Sequence, residues 1–334
     1  MRKLLNDPFA VVDEMLEGVL VAYGETIEAT PCGRGLVLRN PAPARRVGIV
    51  TGGGSGHEPA FWGYIGPGLA DGAAAGNVFA SPSATPIVEA ARAADRGGGV
   101  LFVYGNYNGD VMNFDTAAEL LEEDGIATST CTVSDDVASA PAERRGERRG
   151  VAGGVLVLKA AGARADEGAS LEELSALAWH ANERTRTLGV ALGPCTVPAA
   201  GRPTFELPEG ELDLGMGIHG EAGVYRGPLV SADEVADTLV ERLLADRPPS
   251  GDEPLLVLVN GLGATPVMES FVVLRRVAAL LAEGGLRIHR ALVGEYVTSL
   301  EMTGLSVTLM HLDEELLRLV DAPSRPLAAP PLAP

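Results

Sequence analysis

The sequence has 334 residues, 46% of them hydrophobic, and its 26 basic and 45 acidic residues leave a net charge of −19. A chain of this length buries enough apolar surface to fold as one large or two ordinary domains, and its acidity disfavours nucleic acid and anionic membranes, which points to a small molecule or a protein as partner. No apolar run approaches the ~20 residues that cross a bilayer, and Asn6, Asp7 and Pro8 interrupt the start before a signal-peptide core can form, so a soluble, cytoplasmic protein is expected.

In chain order, short β-branched runs alternate with helical stretches. VGIVTG (47–52), GVLFVYG (99–105), IATSTCTV (126–133) and GVLVLKAA (154–161) are the expected strands of the first half. LGVALG (188–193), LLVLVNG (255–261) and LRIHRALVG (286–294) repeat the habit in the second. Continuous apolar strands separated by helices indicate sheets covered on both faces, the α/β class. Between strands, DTAAELLEED (115–124) and SLEELSALAWHANERT (170–185) carry helical periodicity, with Asp115 and Ser170 placed as N-caps. The second of these helices is positioned to connect two lobes. The expected boundaries are 1–182 for a first α/β lobe, 183–322 for a second, and 323–334 for a disordered Pro/Ala tail. The basic island ERRGERRG (143–150) is expected to be a solvated loop. Cys32, Cys131 and Cys195 are widely separated and odd in number, so they suggest buried small residues and neither a disulfide frame nor a zinc site.

TGGGSGHEPAFWGY (51–64) follows a strand, the side of an α/β sheet where ligands bind, and Gly52, Gly53, Gly54 and Gly56 let the backbone approach a ligand closely. It is not a nucleotide cradle. GxxxxGK[ST] needs a lysine after the glycines, and the chain has only Lys3 and Lys159. GxGxxG and GxSxG both fail because His57 stands where the last glycine belongs. The distinguishing residue is therefore His57, for which capping of a helix beginning at Pro59 is the plainer alternative to chemistry.

Two companions stand out. GNYNGDVMNF (105–114) puts Asp110 after a strand, where burial could make it a base; an Asx-turn is the alternative. LGMGIHGEAGVY (214–225) sets His219 between Gly217 and Gly220, as a base, a nucleophile or a metal ligand. Metal is disfavoured, since no i, i+4 His or Cys cluster accompanies it. His180, His289 and His311 lie in helix or strand patterns and are expected to be structural.

TGGGSGHEP, NY.GD..NF, LGPCTVPAAGRPTFELPEGELDLGMGIHGEAG, VNGLGATPVMES and GEYVTSLEMTGLSVTLM, in that order, resemble the K subunit of dihydroxyacetone kinase, over a span from Lys3 to Asp321. The resemblance implies two α/β lobes and a homodimer. It also implies that a ketose binds covalently through its carbonyl carbon to His219, that His57 and Asp110 form the acid/base pair, and that the backbone at Gly53 and Gly54 lies against the substrate. No cofactor or metal is expected on this chain itself. The phosphoryl group would come from a separate helical L subunit holding ADP or ATP with Mg2+, and the product would be dihydroxyacetone phosphate. Covalent capture would select by reactivity, because glycerol has no carbonyl to trap. Two departures bear on substrate choice: Gly105 stands where many members have lysine, and Asn108 where they have threonine. Alternatives are a subunit for another short ketose such as erythrulose, a non-catalytic co-regulator, or a cofactor-free aldolase or isomerase. The last lacks an accessible Schiff-base lysine.

Overall fold

The computed structural model describes residues 3–40 and 43–332. The first lobe opens with helix α1 (Val11–Tyr23) and strands β1 (Ile27–Ala29), β2 (Gly35–Leu38), β3 (Gly48–Ser55) and β4 (Gly72–Val78). Helix α2 (Ala84–Ala94), β5 (Val100–Gly105), α3 (Asn108–Glu123) and β6 (Thr128–Val133) follow. Helices α4 (Gly154–Asp166) and α5 (Leu171–Glu183) lead to β7 (Thr185–Gly193), β8 (Glu211–Leu214), β9 (Tyr225–Pro228) and α6 (Ala232–Asp246). The chain continues through β10 (Leu255–Gly261), α7 (Val267–Glu283), β11 (Ile288–Gly294), β12 (Thr303–His311) and α8 (Glu314–Asp321).

Among the described residues the strands form two six-stranded sheets, in the orders β1-β2-β4-β3-β5-β6 and β11-β10-β12-β7-β8-β9. In the first sheet β3 runs parallel to both β4 and β5, and β5 to β6. This sets the carboxyl ends of β3 and β5 side by side, with their loops over one edge. The chain leaves one sheet for the other between α5 and β7, at residue 184.

The two sheets share a core. One buried cluster runs from Ile49, Leu101 and Val103 through α4 and α5 to Leu256, Leu258 and Met310, with Leu316 and Leu319 of α8 packed against it. Helices α2 and α3 cover the opposite face of the first sheet, and α6 and α7 that of the second. The result is a stack of five alternating helix and sheet layers.

This stacking accounts for several departures from the sequence reading. Residues 154–161, expected as a strand, form α4, in which Val155 to Ala161 are all buried. A helix between two sheets is apolar all round, so it lacks the 3.6-residue stripe and is indistinguishable from a buried strand by pattern. Lys159 consequently sits in a helix, donating to the Leu319 carbonyl at 2.7 Å. Ser170 is an N-cap, in a reciprocal capping box with Glu173, a feature that contributes about 1 kcal/mol. Asp115 is not: α3 starts seven residues earlier, at Asn108, which places Asp110 in its first turn. Pro59 begins no α-helix; a turn and a short 3-10 segment at Trp62–Tyr64 follow it.

The segment 323–332, expected to be disordered, is packed. Arg325, Leu327 and Ala328 donate backbone hydrogen bonds to Pro67, Ile65 and Gly63, and Leu332 is buried. Its prolines remove donors, but the backbone amides of the residues between them still pair with the segment before β4. Ala333 and Pro334 lie outside the described residues. Cys131 and Cys195 are buried, whereas Cys32 is exposed. His180, His289 and His311 face Asp313, Asp321 and Glu253.

Candidate active site

His57, Asp110 and His219 meet at one cavity, which Gly53 and Gly54 also line. Each arrives on a different element. His57 follows β3, whose last residues, Gly52 to Ser55, stay fully extended. At Gly53 a side chain would run into the Phe61 ring, so the bare backbone is what leaves the cavity open.

His57 is fully buried and stacked on Phe79, with ring centroids 4.8 Å apart. Its Nδ1 donates to the Thr298 carbonyl at 2.7 Å, across the lobes. Burial, and then the nearby charge of His219, push the ring down to about 3, so His57 is neutral and its Nε2 carries a lone pair. That lone pair faces His219 Nε2 at 3.1 Å.

His219 stands on the loop between β8 and β9, edge-on to the rings of His57, Phe79 and Tyr107. Its Nδ1 is 2.9 Å from Glu221 Oε1, and its amide donates to Glu221 Oε2 at 2.9 Å. Burial raises the Glu221 carboxyl, but hydrogen bonds and charge from His219, with Arg149 nearby, more than offset this and hold it at about 2. His219 thus presents Nδ1 to a carboxylate and Nε2 to the lone pair of His57, both of them acceptors.

Asp110 is buried in the first turn of α3. Burial raises its carboxyl to about 6, against the opposing pull of Ser81 and the charge of His219. Its Oδ1 is buried without a hydrogen-bond partner among the described residues, as is the Tyr107 hydroxyl. An unpaired buried oxygen of this kind costs about 1–3 kcal/mol, and a hydroxylated ligand would satisfy it.

Several residues at the site were not among the candidates read from the sequence, although Thr298 and Ser299 lie within the motif GEYVTSLEMTGLSVTLM. Thr298 and Ser299 lie in the loop between β11 and β12; the Ser299 hydroxyl donates to the carbonyl of Ile218, immediately before His219. Arg148 and Arg149 belong to the island expected to be solvated, and both are buried or nearly so. Arg148 pairs with Asp246 through both terminal nitrogens, and Arg149 holds Asp136 at 2.7 Å and the Gly215 carbonyl at 3.0 Å. Acidic partners outside the island, Asp136 and Asp246, turn these two arginines inward, while Arg144 and Arg145 stay exposed as expected. At Gly105 the room for a side chain is filled: a Cβ there would lie 3.0 Å from the Tyr107 ring and 3.2 Å from the Gly150 carbonyl. Among the described residues no cluster of three or more His, Cys, Asp or Glu is arranged to hold a metal, and no helix is long and apolar enough to cross a membrane.

Comparison with known proteins identifies a family and several relatives along nearly the whole chain. The Dak1 domain matches residues 17–328. The chain is 45% identical over 324 residues to the dihydroxyacetone-binding subunit DhaK of PTS-dependent dihydroxyacetone kinase 2 from Listeria innocua, covering 97% of each. It is 47% identical to L-erythrulose kinase of Pectobacterium atrosepticum, covering 97% of this chain and 55% of that longer one. Among solved structures, the dihydroxyacetone kinase operon co-activator DhaQ superposes with a TM-score of 0.88 at 34% identity, covering 95% and 97% of the two chains. The dihydroxyacetone kinase of C. freundii does so with a TM-score of 0.88 at 32% identity, covering 99% of this chain and 61% of that one.

Proposed function

The chain belongs to the Dak1 family, and from that premise we propose that it is the ketose-binding subunit of a dihydroxyacetone kinase. The observation that carries this reading is the pair of imidazole Nε2 atoms 3.1 Å apart beside a buried carboxylate with a free oxygen. His219 is the nucleophile. Its Nε2 forms a bond to C2 of the ketose, the carbonyl π electrons move to oxygen, and the proton that leaves Nε2 passes through His57 to that oxygen. The adduct is a hemiaminal with a neutral hydroxyl, and the ring keeps its single positive charge. Gly53 and Gly54 admit the substrate closely.

With the ketose anchored, Asp110 accepts the proton of the terminal hydroxyl as that oxygen attacks a phosphoryl group. The donor is a separate helical L subunit carrying ADP or ATP with Mg2+, consistent with a chain that offers no lysine cradle of its own. Dihydroxyacetone phosphate is the product. The subunit works as a cytoplasmic homodimer. Retention of His57, Asp110 and His219 in one cavity favours catalysis over a purely regulatory role, despite the similarity to a co-activator.

A second substrate reading, erythrulose, is favoured by the unpartnered Tyr107 hydroxyl at the cavity, which a fourth, hydroxylated carbon could meet. The likeness to an L-erythrulose kinase agrees with it. The test uses dihydroxyacetone labelled with 13C at C2. Bound to the protein, the labelled carbon is expected to move from the ketone to the tetrahedral region of the NMR spectrum, and to remain a ketone with His219→Ala. A ketone signal retained across several short ketoses would overturn covalent capture.

A further inference from the structure

We propose that Glu221, braced by Arg149 from the other lobe, is the positioning residue that keeps His219 charged and correctly turned before and after the ketose binds. This rests on the covalent reading above and extends it to residues that touch no substrate. The geometry is specific. Within a tight turn, in which the Gly217 amide donates to the Glu221 carbonyl at 2.9 Å, the two carboxylate oxygens grip His219 from both sides. One takes the backbone amide and the other takes Nδ1, so the ring can neither rotate nor change tautomer without breaking a charge-assisted bond.

Arg149 supplies the outer brace. Its guanidinium lies 3.9 Å from Glu221 Oε2 while its other nitrogens hold Asp136 and the Gly215 carbonyl, on the loop that carries His219. Gly217 is needed for this approach: a Cβ there would occupy the space taken by both the Glu221 carboxylate and the Arg149 guanidinium. The arrangement joins a loop of the first lobe to the nucleophile of the second.

The chemical consequence follows from proton balance. Capture converts a ring with N–H bonds at both nitrogens into one with N–H at Nδ1 and N–C at Nε2, the displaced proton ending on the former carbonyl oxygen. The ring is cationic on both sides of the step, and Glu221 neutralises it throughout. Without that carboxylate the neutral imidazole is favoured and the cationic adduct loses its counterion, as for the carboxylate that orients a catalytic histidine in hydrolytic triads.

The test is Glu221→Gln, which keeps an acceptor of similar shape and removes the charge, titrated with C2-labelled dihydroxyacetone. The wild type is expected to show the tetrahedral signal, and the variant to bind with about tenfold or greater loss, which corresponds to one pKa unit of differential interaction. A smaller loss in a folded variant overturns the proposal. Imidazole 15N spectra of the unliganded wild type give an independent reading: protons on both His219 nitrogens support it, and a neutral ring overturns it. That second measurement decides the matter if Glu221→Gln does not fold, or if the wild type forms no adduct, the latter being a failure of covalent capture itself. Arg149→Lys, which keeps charge but cannot brace three partners at once, is expected to fall between wild type and Glu221→Gln; binding equal to wild type would remove Arg149 from the proposal.

Discussion

Thr298 and His57 clasp one another in both directions across the lobes: the Thr298 amide donates to the His57 carbonyl at 3.2 Å, and the Thr298 carbonyl accepts from His57 Nδ1 at 2.7 Å. This clasp decides which nitrogen of His57 bears hydrogen and leaves the Nε2 lone pair facing His219.

The first consequence concerns acid stability. Buried His57 is pushed down to about 3, whereas in the unfolded chain it titrates near its ordinary 6.5. Below pH 6.5 the unfolded state therefore binds the proton that the folded state refuses, and stability is lost as pH falls. Relative to His57→Gln, the wild type is expected to weaken by about 1.4 kcal/mol per pH unit between about pH 6.5 and 3, and to show no pH-dependent difference above about pH 7.5. Urea unfolding of both proteins at pH 7.5 and 5.5 checks this; parallel stabilities at the two pH values would contradict it.

Asp110 is expected to separate capture from transfer. With its carboxyl raised to about 6, chiefly by burial, it is expected to lose its ability to accept a proton as pH falls through that value. Phosphoryl transfer by the complex with its donor subunit should fall accordingly. Asp110→Asn should lose about 10²–10⁴-fold in transfer rate while still forming the C2 adduct. Loss of the adduct in this variant would assign Asp110 to capture.

Tyr107 offers a test of ketose size. Because its buried hydroxyl has no partner among the described residues, Tyr107→Phe is expected to leave stability unchanged or raise it by up to about 1 kcal/mol. If a ketose oxygen is its partner, the same variant should bind erythrulose less well, and dihydroxyacetone to a smaller extent. Thermal unfolding and competition titrations give both numbers; equal losses for the two ketoses would remove Tyr107 from substrate choice.

Gly53 lines the cavity beside the Phe61 ring. A methyl group there meets the Phe61 ring, so Gly53→Ala is expected to displace that ring, at a cost of about 1–3 kcal/mol, and to weaken ketose binding. Unfolding and titration of one preparation measure both effects.

The donor can be tested directly. The chain alone, mixed with ATP, Mg2+ and dihydroxyacetone, should yield no phosphorylated ketose; appreciable turnover would refute a separate donor subunit.

Much was legible in the residues themselves. The alternation of apolar runs and helices gave the α/β class, and the Ser170 cap lies where the sequence puts it. The glycine spacing around His57 and the absence of a following lysine are local features that do not match a nucleotide loop, because such loops need one residue type at one position. Local chemistry of this sort is written within a few consecutive residues. Relations that depend on the other lobe were not. His57 and His219 are 162 positions apart, and only the packing of the two sheets on α4 brings their rings into contact. The same packing buries α4 on all sides and erases the periodicity that would mark it as a helix. It turns Arg148 and Arg149 inward, because Asp246, Asp136 and Glu221 come from other segments. The sequence by itself determined which groups could carry protons; the tertiary structure alone decided where each proton sits, because burial and partner geometry set that balance.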